Sequence, residues 1–168
     1  MRFPMFGLSV LLQGCALLLL SSSLLFAAPL TVHIAPFAAG SAAPPLAEAM
    51  FDAFVDELDS AGPGQGVNVE IIKIPLTEVD PGWLIRQDWV EGTVVDYVED
   101  VGCCSTEFKV SARLQEHLTG AELAAPLELA DEAFFNHDET KLADEQVAVG
   151  DRLGRALASR WLQLQASR

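Results

Sequence analysis

The chain has 168 residues, with 24 Asp and Glu against 10 Lys and Arg, and a formal net charge of −14. Such a balance repels nucleic-acid backbones and anionic lipid headgroups, and no basic stripe or RNA-binding motif offsets it. Neutral or basic proteins and cations are the partners it leaves.

The first 28 residues carry one charged side chain, Arg2, then an apolar run ending in small residues. This reads as an export signal, with cleavage after Ala27 or Ala28. The run is also long enough to cross a bilayer as an uncut N-terminal anchor. Within it, Leu12-Gln13-Gly14-Cys15 resembles the lipobox of bacterial lipoproteins, which makes Cys15 a candidate lipidation site. Cleavage, retention and lipidation all stay open; a membrane is met only through this segment, if uncleaved or lipidated. Residues 29–168 are then read as a single α/β domain of about 140 residues, enough to bury roughly two-thirds of its unfolded surface without a disulfide framework.

In chain order, residues 30–37 (LTVHIAPF) form a short apolar run broken by Pro36, which predicts a buried strand. A helix is expected from Pro44 or Pro45, because Leu46, Met50, Phe51, Phe54, Val55 and Leu58 recur at helical spacing opposite Glu48, Asp52, Asp56, Glu57 and Asp59. The Gly- and Pro-rich stretch 61–66 ends it, and residues 67–74 (VNVEIIKI) predict a second strand, completing a βαβ unit. In residues 76–87, Asp80-Pro81-Gly82 signals a turn and Trp83-Leu84-Ile85 reads as a helical turn or an apolar plug.

Residues 88–118 predict a long hairpin, its first arm at 89–98 rich in β-branched and aromatic residues. In the second arm Phe108, Val110, Ala112, Leu114 and Leu118 share one face, and Glu107, Lys109, Ser111, Arg113, Gln115 and His117 the other. A fifth strand is expected within 122–135, with Leu127, Leu129 and Phe134 as its apolar contacts. A final helix is expected over about 140–164, its buried stripe running through Leu142, Val149, Leu153, Ala156, Leu157, Trp161 and Leu164. Gly150, Gly154 and Ala158 form a small-residue groove that predicts close packing on the sheet or the first helix. The fold class is α/β (α+β): a mixed sheet of about five strands, a βαβ unit followed by an antiparallel meander and a C-terminal helix, with the helices on one face.

The most unusual chemistry is the adjacent pair Cys103 and Cys104. Neighbouring Cα atoms lie about 3.8 Å apart, below the usual disulfide range of about 4.4–6.8 Å, so a bridge between them would be strained and easily reduced. A disulfide or redox role and two small apolar residues in a β-connection both stay open. His33, between Val32 and Ile34, reads as a packed histidine. Asn136-His137-Asp138-Glu139 looks like a metal cluster but is read as a polar loop in which Asn136, Asp138 and Thr140 cap the last helix. No nucleophile elbow, P-loop, zincin, EF-hand or dinucleotide signature is present, so no catalytic, metal or cofactor-binding residue and no cofactor is expected. A hydrolase would need Asp131, Glu132, His137 and Asp138 gathered around a pocket. A small redox or metal-binding protein would use Cys103 and Cys104.

Three short features taken together resemble the α/β domain of bacterial envelope proteins such as the TolB amino-terminal domain and the curli-secretion lipoprotein CsgG. They are Ile34-Ala35-Pro36-Phe37 with the amphipathic helix after it, the step Trp89-Val90-Glu91-Gly92-Thr93-Val94, and the closing helix. The chain departs from that pattern where a second helix would precede Glu91-Gly92. The resemblance implies a non-enzymatic periplasmic or outer-membrane-associated module that binds other envelope proteins. Lys109, Arg113, Gln115 and His117 on the uncovered sheet face, with an acidic loop from Glu99 and Asp100 to Cys104, are the candidate contacts.

Overall fold

The computed structural model describes residues 29–40, 42 and 44–168. The expectations of cleavage, anchoring and lipidation at Cys15 lie outside the described residues. One mixed sheet runs in the order β2-β1-β3-β4-β5, formed by β1 (Leu30–Ile34), β2 (Val67–Ile71), β3 (Trp89–Val101), β4 (Ser105–His117) and β5 (Leu127–Asn136). β1 pairs in parallel with both β2 and β3, and β3-β4-β5 is an antiparallel meander. Helix α1 (Pro44–Ala61) joins β1 to β2, a short α2 (Pro81–Leu84) precedes β3, and α3 (Leu142–Ala166) closes the chain. This is the expected α/β arrangement.

The core lies between the sheet and α1 with α3. From α1, Leu46, Met50, Phe54 and Leu58 are fully buried; from α3, Val149, Leu153, Leu157 and Trp161 meet them. Below lie Val32 and Ile34 of β1, Val90 and Val94 of β3, and Phe108, Val110, Ala112 and Leu114 of β4. The predicted small-residue groove packs on α1 rather than on the sheet. A Cβ on Gly150 would sit 2.5 Å from the Leu46 carbonyl oxygen and 3.0 Å from the Ala49 Cβ, and one on Gly154 would overlap the Met50 carbonyl. The two helices therefore touch backbone to backbone.

A similar fit joins the two stretches that carry the envelope-domain resemblance. The Phe37 ring lies where a side chain on Gly92 would be, with ring atoms 2.6 Å from the position of a Cβ. Phe37 also packs on Phe51 and Phe54, and Ala38 bridges to Thr93, extending the parallel pairing beyond β1.

At the end of β4 the alternation places a carboxylate, Glu116, on the core side, 7% exposed. It accepts hydrogen bonds from Trp161 Nε1 (3.2 Å), Gln165 Nε2 (2.7 Å) and the Arg168 guanidinium (2.6 Å), tying the last turns of α3 to the sheet. A buried carboxylate is tolerable when charge and hydrogen bonds are matched in this way.

Several expectations shift. β1 and β2 stop at Ile34 and Ile71, ahead of Pro36 and Pro75, and β5 begins at Leu127 rather than near 122. Residues 72–88 form neither a strand nor a full helix. They cross the sheet face opposite α1 and α3, where Ile72, Val79, Leu76, Trp83 and Leu84 pack on Ala35 and Trp89. Trp83 and Leu84 are both helical turn and apolar plug, whereas Ile85 lies past α2 and is exposed, and Asp80 caps α2 by accepting the Gly82 N–H (2.7 Å). The predicted cap of α3 is absent: Lys141 occupies the N-cap without a side-chain bond, while Asn136 belongs to β5. The 136–140 turn instead closes through the Asn136 carbonyl, which accepts the N–H groups of Glu139 (3.0 Å) and Thr140 (3.3 Å).

Replacing Gly154 by Ala gains about 1 kcal/mol of helix propensity but forces α1 and α3 apart, and such overpacking costs about 1–3 kcal/mol. Gly154→Ala is therefore expected to lower the thermal midpoint by a few degrees. A raised midpoint would show that the helices have room between them.

Candidate functional site

With both long helices on one side and residues 72–88 covering only the β2-β1 end, the opposite face of β3, β4 and β5 is left open. Cross-strand register assigns Glu91, Thr93, Asp96, Val98 and Asp100 of β3 to it, beside Glu107, Lys109, Ser111, Arg113, Gln115 and His117 of β4. Glu128, Ala130, Glu132 and Phe134 of β5 complete it.

Four of the expected contact residues thus share this surface, each already engaged. Lys109 Nζ lies 3.0 Å from Glu107 and 3.6 Å from Glu132, and the hydrogen bond to Glu107 raises its ammonium above the ordinary value. Arg113 forks onto Glu128 at 2.7 and 2.8 Å. The Gln115 amide donates to the carbonyls of Ala124 (3.0 Å) and Glu116 (3.1 Å). His117 is not simply on a wet face: its ring stacks flat on Trp89, centroids 3.8 Å apart, with Nε2 3.1 Å from Glu91.

Of the expected acidic loop from Glu99 to Cys104, Glu99 and Asp100 lie instead in β3, and only Gly102, Cys103 and Cys104 form the turn. The register slips between Val94 and Asp96, so Val95 is an extra residue and every later side chain of β3 changes face. Asp100 joins the open surface opposite Glu107, whereas Glu99 lies opposite Phe108 on the helix side. There its carboxylate accepts the Tyr97 hydroxyl proton at 2.8 Å, and Tyr97 in turn accepts from Gln146 of α3. Burial raises the Tyr97 phenol above its ordinary value; the Gln146 bond opposes this and Glu99 adds to it.

The face therefore presents six carboxylates, Glu91, Asp96, Asp100, Glu107, Glu128 and Glu132, against two permanent cations, both ion-paired. Its distal end also exposes Val98 (57%) and Phe134 (68%). Sequence reasoning missed Val98, since an uninterrupted alternation in β3 would have put it on the core side, and it grouped Phe134 with Leu127 and Leu129, whereas the register puts Phe134 on the opposite face from them. An open cleft of about 400 Å³ lies between Asp96, Lys109, Ser111 and Glu132.

β5 is an edge strand and is blunted in its middle. Asp131 faces α3, where it pairs with Arg152 at 2.8 Å, and its other oxygen accepts the main-chain N–H of Glu132 at 2.8 Å. Such contacts protect an edge from adding further strands. The hydrolase constellation is not assembled: Asp131 and Glu132 project to opposite faces, and His137 Nε2 bonds Thr106 Oγ1 at 2.8 Å. Asp138 lies in the turn after β5. His33 is buried, edge-on to Trp83 and bonded to the Asp88 carbonyl at 3.2 Å, with Glu70 at 3.2 Å. Among the described residues no group of three or more His, Cys, Asp or Glu side chains is placed to hold a metal ion.

At the hairpin tip Cys103 and Cys104 are exposed free thiols, their sulfurs 3.3 Å apart. Gly102 N–H donates to the Ser105 carbonyl (2.8 Å), closing the turn, and the Cys104 carbonyl accepts the His137 N–H (3.0 Å).

Comparison with known protein families finds no match, and comparison with curated proteins finds none either. Among solved structures, the chain is similar to the hypothetical protein CT253 from Chlamydia trachomatis, with a TM-score of 0.53 and 12% identity over 84% of this chain and all of that one. Lipoprotein GNA1162 from Neisseria meningitidis gives 0.47 and 13% over 83% and 100%. Rare lipoprotein B from Shewanella oneidensis gives 0.39 and 9% over 79% and 98%. The similarity to CT253 is one of α/β fold alone.

Asp131→Ala removes the acceptor of the Glu132 N–H and the partner of Arg152. The expected result is a loss of about 1 kcal/mol in urea unfolding, together with concentration-dependent self-association in sedimentation. Unchanged stability and a monomer at all concentrations would show that the edge needs no such guard.

Proposed function

We propose that this chain is an exported bacterial cell-envelope protein, periplasmic or outer-membrane-associated, that acts as a non-enzymatic binding and assembly module. The observation that carries the reading is the open β3-β4-β5 face, on which carboxylates outnumber cations and Val98 and Phe134 stand exposed at one end. Charge complementarity selects a partner protein with a basic surface and an apolar contact, because an acidic field speeds encounter with such a surface and disfavours acidic ones. The N-terminal export pattern supports the envelope assignment.

A closer kinship, to the TolB amino-terminal domain and to CsgG, belongs to the same proposal. It rests on Pro36-Phe37 and Glu91-Gly92, which meet where the Phe37 ring covers Gly92.

The test is crosslinking in intact envelopes followed by capture through a C-terminal tag, comparing wild type with Glu128→Lys/Glu132→Lys. The wild type is expected to retain a discrete protein whose capture falls with added salt, and the double variant to lose it while keeping its circular dichroism spectrum. Equal capture by both proteins would remove the acidic face from the interaction.

A further inference from the structure

We propose that Cys103 and Cys104 form a redox site that exchanges with small-molecule disulfides, closing and reopening a vicinal disulfide at the β3-β4 tip. The proposal is independent of the binding face. The chain has three cysteines, and the third, Cys15, lies in the N-terminal segment. Among the described residues each of the two thiols therefore has only its neighbour as an intramolecular partner.

Both thiols are exposed, as exchange requires, because the attacking thiolate must reach the disulfide sulfur in line. Their sulfurs stand 3.3 Å apart, so closing to a bond of about 2.05 Å needs a movement of about 1.2 Å. The turn's cross-turn bond joins Gly102 to Ser105, outside the pair, and the pair's main chain is held from outside the turn by the bond from His137 N–H to the Cys104 carbonyl.

The reaction balances in two steps. One protein thiolate attacks a small disulfide, forming a protein–small-molecule mixed disulfide and releasing one small thiolate. The neighbouring thiolate then attacks the protein sulfur of that mixed disulfide, forming the Cys103–Cys104 bond and releasing the second. The protein pair loses two electrons and two protons, and the small disulfide becomes two thiols.

Because adjacent Cα atoms are held closer than an ordinary disulfide prefers, the closed ring is strained and readily reduced. It suits a reversible site rather than a structural staple. Closure also displaces Cys104, whose carbonyl receives the His137 N–H where β5 ends.

The experiment takes the full chain with Cys15→Ser as its wild type, so that Cys103 and Cys104 are the only thiols, incubates it, first reduced, with oxidised glutathione, and follows intact mass and free thiols, alongside Cys103→Ser and Cys104→Ser in the same background. Wild type is expected to become a monomer lighter by two hydrogens with both thiols lost together, while each single variant keeps one glutathione. The closed form should reopen in a glutathione mixture that leaves ordinary structural disulfides shut. Glutathione retained on the wild type, disulfide-linked dimers, or thiols that survive where the single variants are modified would each overturn the proposal. So would a closed form that resists that reducing mixture.

Discussion

The backbone-to-backbone contact of α3 on α1 is the constraint from which the rest of the structure follows. Gly150 and Gly154 bring α3 against the carbonyls of Leu46 and Met50, so the two long helices form one tight layer. That layer covers a single side of the sheet and collects the large apolar side chains of β1, β3 and β4 beneath it. The other side has no comparable cover. Its Trp89 end is closed by the segment from Ile72 to Trp83, and the remainder must be polar to stay in water.

Much of this was legible in the sequence, because helix and strand periods are local. The stripe Leu46, Met50, Phe54, Leu58 and the alternation through β4 needed only their spacing to be read. The small residues at 150, 154 and 158 announced a close approach, though not against which element. What was hidden depends on pairing across the fold. The extra residue at Val95 leaves composition unchanged yet reverses the faces of Glu99 and Val98, and only the register with β4 exposes it. Glu116 falls by spacing on the apolar face of β4, and the three donors that make it tolerable there, Trp161, Gln165 and Arg168, arrive from 45 or more residues later. The turn at 136–140 was polar enough to pass for a helix cap, but its main chain closes on itself through Asn136.

The candidate site divides along the same line. Lys109, Arg113, Gln115 and His117 were placed together correctly by alternation alone, while their pairing with Glu107, Glu132, Glu128 and Glu91 reverses the apparent electrostatics. A face that seemed to offer positive charge offers carboxylates, with its cations held among them. Surface ion pairs of this kind contribute little to stability, so their arrangement bears more on what the surface can meet than on the fold. The exposed Phe134 and Val98 add the apolar component that a specific contact uses at its centre.

The open sheet face, and not the helical side, is the surface proposed to meet the partner. A photo-activated crosslinking residue placed at Ser111, in the middle of that face, and separately at Glu48, on the exposed side of α1, addresses it directly in intact envelopes. A discrete crosslinked protein is expected from position 111, reduced by raised salt, and none from position 48. A crosslink formed from position 48 with none from position 111 would contradict it.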